Sequence, residues 1–240
     1  MKIIKTSNGF EITGFAWDRN KYNYRKFTRQ EDEISGQRTY NVDDKKIPSV
    51  TTILSATKSK EDMEGLQRWR DRVGEEVARK TMIDAATRGT EMHYVLENYI
   101  EGKGYINLTE KGAKARLMAH KIVENLGALN VVYGNEVSLY YEELYAGATD
   151  LVGIHGDKPT IIDFKQSNKL KKREYVEDYY YQIAAYALAH EKNHGPIDKG
   201  LICICTKDLQ YQEFMLDKDD LNRYKDKWIK RVEQFNREKL

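Results

Sequence analysis

Gly147–Ser167 reads GATDLVGIHGDKPTIIDFKQS, and the way this stretch pairs with itself decides the fold. Gly156 and Asp157 lie midway between Asp150 and Asp163, and Gly-Asp suits a two-residue II′ hairpin turn. Folding about that turn sets Asp150 directly opposite Asp163. It also sets Ala148 opposite Lys165, a small residue facing a long one. Side chains alternate along a strand, so Ile161, Asp163 and Lys165 share one face and Ile162 and Phe164 the other. Facing residues on paired strands have Cβ atoms roughly 5 Å apart, where like charges repel. Two carboxylates so placed suit a hard divalent cation between them, because such ions prefer oxygen ligands. A slip of one residue would dissolve the arrangement, and a plain salt bridge from Lys165 to Asp150 or Asp163 is the alternative. A metal that activates water and polarises phosphorus–oxygen bonds, with a lysine nearby, makes phosphodiester hydrolysis the natural reaction.

Working outward, the period-two pattern predicts strands near 131–141, 145–155, 159–166, 200–206 and 210–216. A helix over about 174–193 separates the third strand from the fourth, and a last helix starts after Asp217, with Asp220 nearby, and runs to about 236. Upstream, Ser59 with Asp62 resembles a capping box. It opens a helix over 60–80 with Leu66, Trp69, Val73 and Val77 on one face. A second helix spans about 82–101 and ends near Gly102. A third runs from Thr109 to Gly127, read as a C′ glycine. Residues 1–48 read as small strands and loops punctuated by Gly9, Gly14 and Gly36. The fold class is α/β, one core with an N-terminal elaboration over 1–80, the two forming one compact unit.

The 240 residues, 32% charged against 40% hydrophobic, fit a soluble protein with a substantial core. The net charge of +2 means that any polyanionic partner must meet local positive charge. Seventeen tyrosines suit nucleic-acid stacking and a half-wet β-surface equally. The run Arg19–Arg29 (RNKYNYRKFTR) interleaves basic and aromatic residues without an acid: a solvated hairpin or a strand-tracking surface. Cys203 and Cys205, two apart on a strand, are expected to face the core together and to fit a reducing compartment. The opening MKIIKTSNGF lacks a signal-peptide core and no stretch reaches membrane-span length. The expected location is the cytoplasm, or the host cytoplasm for a viral protein.

Asp150 followed by Asp163-Phe164-Lys165 resembles the signature of the PD-(D/E)XK nucleases. Arg88-Gly89-Thr90-Glu91-Met92-His93 resembles the RGTxxH helix of their RecB-like branch. Glu136 stands on the strand before Asp150, where that branch often places a glutamate, and Gln182–Tyr186 resembles its QxxxY motif. PSVTTIL, LQRW, DFKQS and KWIKRVEQF are similar to the mitochondrial genome maintenance exonucleases and their phage relatives, which degrade single-stranded DNA. Gln166 departs from the threonine that many RecB-like members carry, a change expected to tune the site. The chain has no four-cysteine set for an iron–sulfur cluster.

The resemblance implies a PD-(D/E)XK core over 81–240, with residues 1–80 forming a wall of a DNA channel. His93, Asp150, Asp163 and the Phe164 carbonyl become metal ligands for Mg²⁺, with Mn²⁺ as a substitute. Glu136 is expected to bind a second metal or hold a metal water, Lys165 to position water, and Gln182 to orient neighbouring groups or phosphate. Tyr186 is expected to hydrogen-bond Lys165 or the scissile phosphate. The plainer alternatives are a packed histidine at 93, a half-exposed strand glutamate at 136 and a core tyrosine at 186. The basic run Lys165–Arg173 (KQSNKLKKR), with Ser167, Lys169, Lys171, Lys172 and Arg173, is expected to track DNA, unless it is only a solvated loop. Arg88 also belongs to the expected DNA surface, and Ser49, Thr51, Thr52, Arg68 and Trp69 form its other wall. His120, His155, His190 and His194 carry no motif and are assigned to surface or structural duties, with the orientation of His155 unassigned. The expected activity is a metal-dependent exonuclease on single-stranded DNA or frayed ends, leaving 5′-phosphate and 3′-hydroxyl. A flap endonuclease of the same fold and a silent DNA-binding module are the rivals.

Overall fold

The computed structural model describes residues 2–5, 11–103 and 109–238; Gly9 lies outside them. Strands β1 (Lys2–Lys5) and β2 (Glu11–Gly14) pair as a two-stranded ladder. Strands β3 (Thr28–Glu31), β4 (Arg38–Val42) and β5 (Lys45–Pro48) form a small antiparallel sheet. Four helices follow: α1 (Val50–Ala56), α2 (Lys60–Val73), α3 (Glu75–Ile100) and α4 (Glu110–Glu124). Then come β6 (Leu129–Tyr141), β7 (Tyr145–His155), β8 (Lys158–Ser167), α5 (Glu177–Asn193), β9 (Lys199–Thr206), β10 (Tyr211–Leu216) and α6 (Lys218–Arg237).

The last five strands make one sheet in the order β10-β9-β8-β7-β6, antiparallel except for the β8–β9 pair. That parallel pair needs a crossover, and α5 supplies it. Both sheet faces are covered, as a mixed α/β sheet requires. On one face Ile161, Val152, Ile202 and Ile204 pack with Ile183 and Ala184 of α5 and Trp228 of α6. On the other, Ile162, Phe164, Leu151, Cys203 and Cys205 pack with Met92 and Leu96 of α3 and Met118 and Ile122 of α4. The alternation read in the sequence is therefore the division between two cores. Both cysteines are buried and unbridged, facing the same layer.

The central hairpin takes the predicted register. Leu151 pairs with Ile162 and His155 with Lys158, and the ladder ends one step before Asp150 and Asp163, in the register that would set them opposite. Gly156 has φ +69° whereas Asp157 is not left-handed, the sign pattern of a II′ turn. The other strands fall within two residues of expectation.

The helical region needs four corrections. The predicted 60–80 helix stops at Val73, because Gly74 takes φ +83° and its N–H bonds back to the Arg70 carbonyl. Val77 thus belongs to α3, which begins at Glu75 rather than near 82. No residue of α2 is fully buried: on its apolar face Trp69 and Val73 are half-buried and Leu66 is 39% exposed. Gly127 is not a left-handed C′ residue. Asn125 and Leu126 close the last turn of α4 by bonding back to Ile122 and Val123. Helix α1, unforeseen, starts at Ser49, whose hydroxyl accepts from the Thr52 N–H at 3.0 Å. The caps at Ser59, Thr109 and Asp217 are formed as expected. Among the described residues, no helix is long and apolar enough to cross a membrane.

Candidate metal centre and nucleic-acid cavity

Where the β7–β8 ladder ends, the chain assembles a polar group that the surrounding cores cannot absorb. Asp150 and Asp163 are 8% and 2% exposed, and buried carboxylates need partners. Asp150 Oδ2 accepts from the Phe164 N–H at 2.5 Å and Oδ1 faces His93 Nδ1 at 3.1 Å. Asp163 forms an ion pair with the Lys165 ammonium through Oδ2. The salt bridge weighed as an alternative thus exists, beside the carboxylate pair rather than in place of it.

Glu136 enters from β6. Its neighbours Asn135 and Val137 pair with Leu151 and Thr149, so it stands across from Asp150. It has φ +52°, a left-handed backbone within a strand. One ligand atom each from His93, Glu136 and Asp150 lie within 4.8 Å of one another, so this group could hold a metal ion. Its two carboxylate oxygens and one imidazole nitrogen are a donor set that divalent metals accept. Asp163 stands outside the trio, engaged with Lys165.

The electrostatics fit a site completed by positive charge. Burial, then Asp150, push the Glu136 carboxyl up to about 7. Burial raises Asp163 to about 6 despite Lys165. Burial opposes charge on His93, but Asp150 overcomes it and raises the imidazole to about 9. Burial likewise works against Asp150, yet His93 and then Lys165 hold it below the ordinary range. Without a metal, protons occupy the places that a cation would take.

Helix α5 closes one side. Gln182 Nε2 donates to the Tyr186 hydroxyl at 2.9 Å, and both side chains are buried. The Tyr186 ring lies where a Cβ on Gly147 would come within 2.6 Å of its Cε1. The expected Tyr186–Lys165 hydrogen bond is replaced by this Gln182 bond, four residues apart on one helix face. Lys165 sits instead 5.3 Å from the centre of the Tyr179 ring. Sequence reasoning missed Tyr179, although 179, 182 and 186 share one helix face and carried the signal.

Helix α3 closes another side. Arg88 donates to Gln166 Oε1 through Nε and Nη2 at 2.9 and 2.8 Å, and also to Asn168. Gly89 lets the helix approach, since a Cβ there would meet Gln166 Cγ at 3.3 Å. Gln166 therefore fastens the RGT turn to β8, and Arg88 is committed to that contact.

His93, Glu136, Asp150, Asp163, Lys165 and Tyr186 line a cavity of about 480 Å³. Ser49 and Thr51 line it as expected, Arg29 joins them from the end of the basic-aromatic run, and Arg38 and Tyr40 of the small sheet join unforeseen. The other expected DNA residues are elsewhere. Trp69, Lys169, Lys171 and Lys172 line a separate groove of about 820 Å³ between α2 and the loop after β8. Arg68 pairs with Glu64 at 3.6 Å, and Arg173 pairs with Asp220 at 3.3 Å over the Tyr180 ring. The Ser167 hydroxyl donates to the Lys169 carbonyl, shaping the loop. In the run 19–29, Tyr22 and Tyr24 pack edge-on or tilted against His190 and His194 at 4.8–5.9 Å, so those rings are already engaged within the protein. His190 is fully buried and hydrogen-bonded to Tyr24, a structural duty as expected.

Mitochondrial genome maintenance exonuclease 1 of Xenopus tropicalis is 30% identical over 209 residues, covering 80% of this chain and 58% of that protein. The Homo sapiens protein of that name is 27% identical over 204 residues, covering 80% and 59%. The chain thus spans under three fifths of the length of these curated relatives. Among solved structures, a provisionally named exonuclease from Eubacterium rectale aligns over 65% of this chain and 69% of its own, at 13% identity and a TM-score of 0.46. No protein-family model matches the chain. In the order of its motifs and over four fifths of its length, the chain resembles the mitochondrial genome maintenance exonucleases and, through them, the PD-(D/E)XK nucleases.

Proposed function

We propose that this chain is a metal-dependent deoxyribonuclease, an exonuclease that hydrolyses single-stranded DNA or frayed ends during replication, repair or recombination. The observation that carries the reading is the convergence of His93, Glu136 and Asp150 within 4.8 Å, beside the Asp163–Lys165 pair, in one open cavity. An isolated salt bridge gives no reason for a third carboxylate and an imidazole to be held there. The names of the relatives support the exonuclease part of the reading.

His93, Glu136 and Asp150 would hold Mg²⁺, or Mn²⁺ in its place, with Asp163 and the Phe164 carbonyl as further donors. The bound ion supplies activation of water and neutralisation of phosphate charge. Lys165 holds its proton, because Asp163 and Asp150 raise it against the effect of burial, and so donates to a phosphoryl oxygen or positions water. Gln182 fixes the Tyr186 hydroxyl beside the phosphate path. Residues 1–80 form a wall of the channel, and the groove bearing Lys169, Lys171 and Lys172 takes the backbone beyond the site.

The test uses wild type and Lys165→Ala with linear single-stranded DNA labelled at either end, and with a circular single strand, in Mg²⁺ or EDTA. Shortening of the linear strand that needs both Mg²⁺ and Lys165, with the circle intact, supports the exonuclease. Cutting of the circle makes the enzyme an endonuclease. No cutting in any divalent metal ends the hydrolase reading.

A further inference from the structure

Arg29 and Arg38 stand on paired strands of the small sheet and line the same cavity as His93, Glu136 and Asp150. Strand β3, which carries Arg29, buries nothing: all four of its residues are exposed. Among the described residues its only ladder is with β4, so the core gives no reason for the position of Arg29. Arg29 makes no ion pair with a described residue, and the single ion pair of Arg38 uses Nε, to Glu31 at 2.9 Å. Tyr40, 7% exposed, pairs with Arg29 across the ladder and lines the same cavity as Glu136.

The charges of the cavity define what is missing. Lys165 answers Asp163, and a divalent ion would answer Glu136 and Asp150. Arg29 and the Nη groups of Arg38, whose Nε is engaged with Glu31, then remain in the lining, along with the Glu97 carboxylate. A guanidinium presents a planar fork that matches phosphate oxygens in pairs. We infer that Arg29 and Arg38 form a phosphate-binding wall that holds a backbone or terminal phosphate of the strand next to the one at the metal-ligating group. The inference deepens the nuclease reading above and rests on it. Ser49 and Thr51, whose hydroxyls are bonded to each other at 2.9 Å, line the same cavity.

The experiment measures binding of single-stranded oligonucleotides to wild type, Arg29→Ala, Arg38→Ala and Arg29→Lys, by anisotropy in Ca²⁺ over a series of salt concentrations. Three oligonucleotides are used: 5′-phosphorylated, 5′-hydroxyl and 3′-phosphorylated. Each alanine variant is expected to lower the salt slope by about 0.7, the single-strand value for one lost phosphate contact. Arg29→Lys is expected to keep the slope and lose affinity. Loss confined to one phosphorylated oligonucleotide identifies a terminal phosphate; equal loss on all three identifies a backbone phosphate. Mn²⁺ affinity, measured by calorimetry, is expected to stay within twofold of wild type. Wild-type slopes and affinities in both alanine variants overturn the inference. So does a fall in Mn²⁺ affinity in step with DNA affinity, since the arginines would then only support the metal group. A wild type that neither binds nor cuts DNA in any metal defeats the nuclease reading itself, before any variant is compared.

Discussion

The hydroxyl of Tyr186 accepts a 2.9 Å hydrogen bond from Gln182 Nε2 inside the wall of the cavity. Removing it with Tyr186→Phe leaves a buried amide hydrogen without a partner, at a cost of ~1–3 kcal/mol. For a chain of this length that lowers Tm by a few degrees, with the fold retained by circular dichroism. Single-turnover cleavage is expected to slow by more than the stability loss explains. Rates equal to wild type would leave Tyr186 a packing residue only.

Gly147→Ala tests the same wall from the strand side. The added methyl would sit 2.6 Å from Tyr186 Cε1, and overpacking of this kind costs ~1–3 kcal/mol. The ring must shift, so cleavage and Tm are expected to fall together. In the Tyr186→Leu background the same substitution is expected to cost less, which a double-mutant cycle in urea measures.

The protonation of the metal group sets a pH dependence with a definite sign. Glu136 is raised from 4.5 to about 7, Asp163 from 3.8 to about 6 and His93 from 6.5 to about 9. Each group holds its proton more tightly when folded, so its stabilising contribution is complete below its unfolded value and is lost as pH rises through its folded value. Asp150 has the opposite sign, but its window lies below its ordinary 3.8. In EDTA, Tm is therefore expected to decline from pH 5 to 9. Divalent metal displaces the same protons, so Mn²⁺ affinity is expected to rise over that range with proton release. Calorimetry in buffers of different ionisation heat counts the protons. A Tm in EDTA that rises across this window would contradict the assignment.

Asp150→Asn removes one member of the trio and the counter-charge of His93. Mn²⁺ affinity is expected to fall at least the roughly 10–100-fold that losing even the partner of a metal ligand costs. Metal-induced stabilisation in a thermal melt should vanish with it.

The loop after β8 is anchored to β10 by reciprocal bonds between the Lys171 backbone and Gln212. This leaves Lys169 and Lys172 as substitutable charges. Lys169→Ala with Lys172→Ala is expected to reduce the salt slope of single-strand binding by up to about 1.4, while single-turnover rates at saturating DNA stay near wild type. An unchanged slope makes the loop merely solvated.

The hairpin at the centre was legible because three local signals agree: period-two alternation, a two-residue turn and a register that a slip would destroy. The division between α2 and α3 was not. Gly74 sits among strong helix formers, and an apolar repeat continuing to Val77 says nothing of a backbone turn. The same repeat gives α2 an apolar stripe without saying what covers it, and the core does not. His93, Glu136, Asp150 and Tyr186 were legible through motif resemblance, and their convergence depends on pairings between distant strands. Arg38 and Tyr40 had no motif and Arg29 only the end of the basic-aromatic run, since the docking of the small sheet is what brings them to the cavity. Tyr22 and Tyr24 show the converse: an aromatic-basic run looked available for bases, but tertiary packing on two histidines had claimed its rings.

The backbone of Glu136 is left-handed within a strand, at φ +52°. Only glycine adopts that conformation without a cost of order 1–3 kcal/mol, and the half-buried carboxylate adds its own penalty. Glu136→Gly would relieve both, yielding a hardier protein that has lost a member of its ligand trio. A screen that rewarded heat resistance alone would drift toward that change, so thermal robustness and metal capture pull this one position in opposite directions.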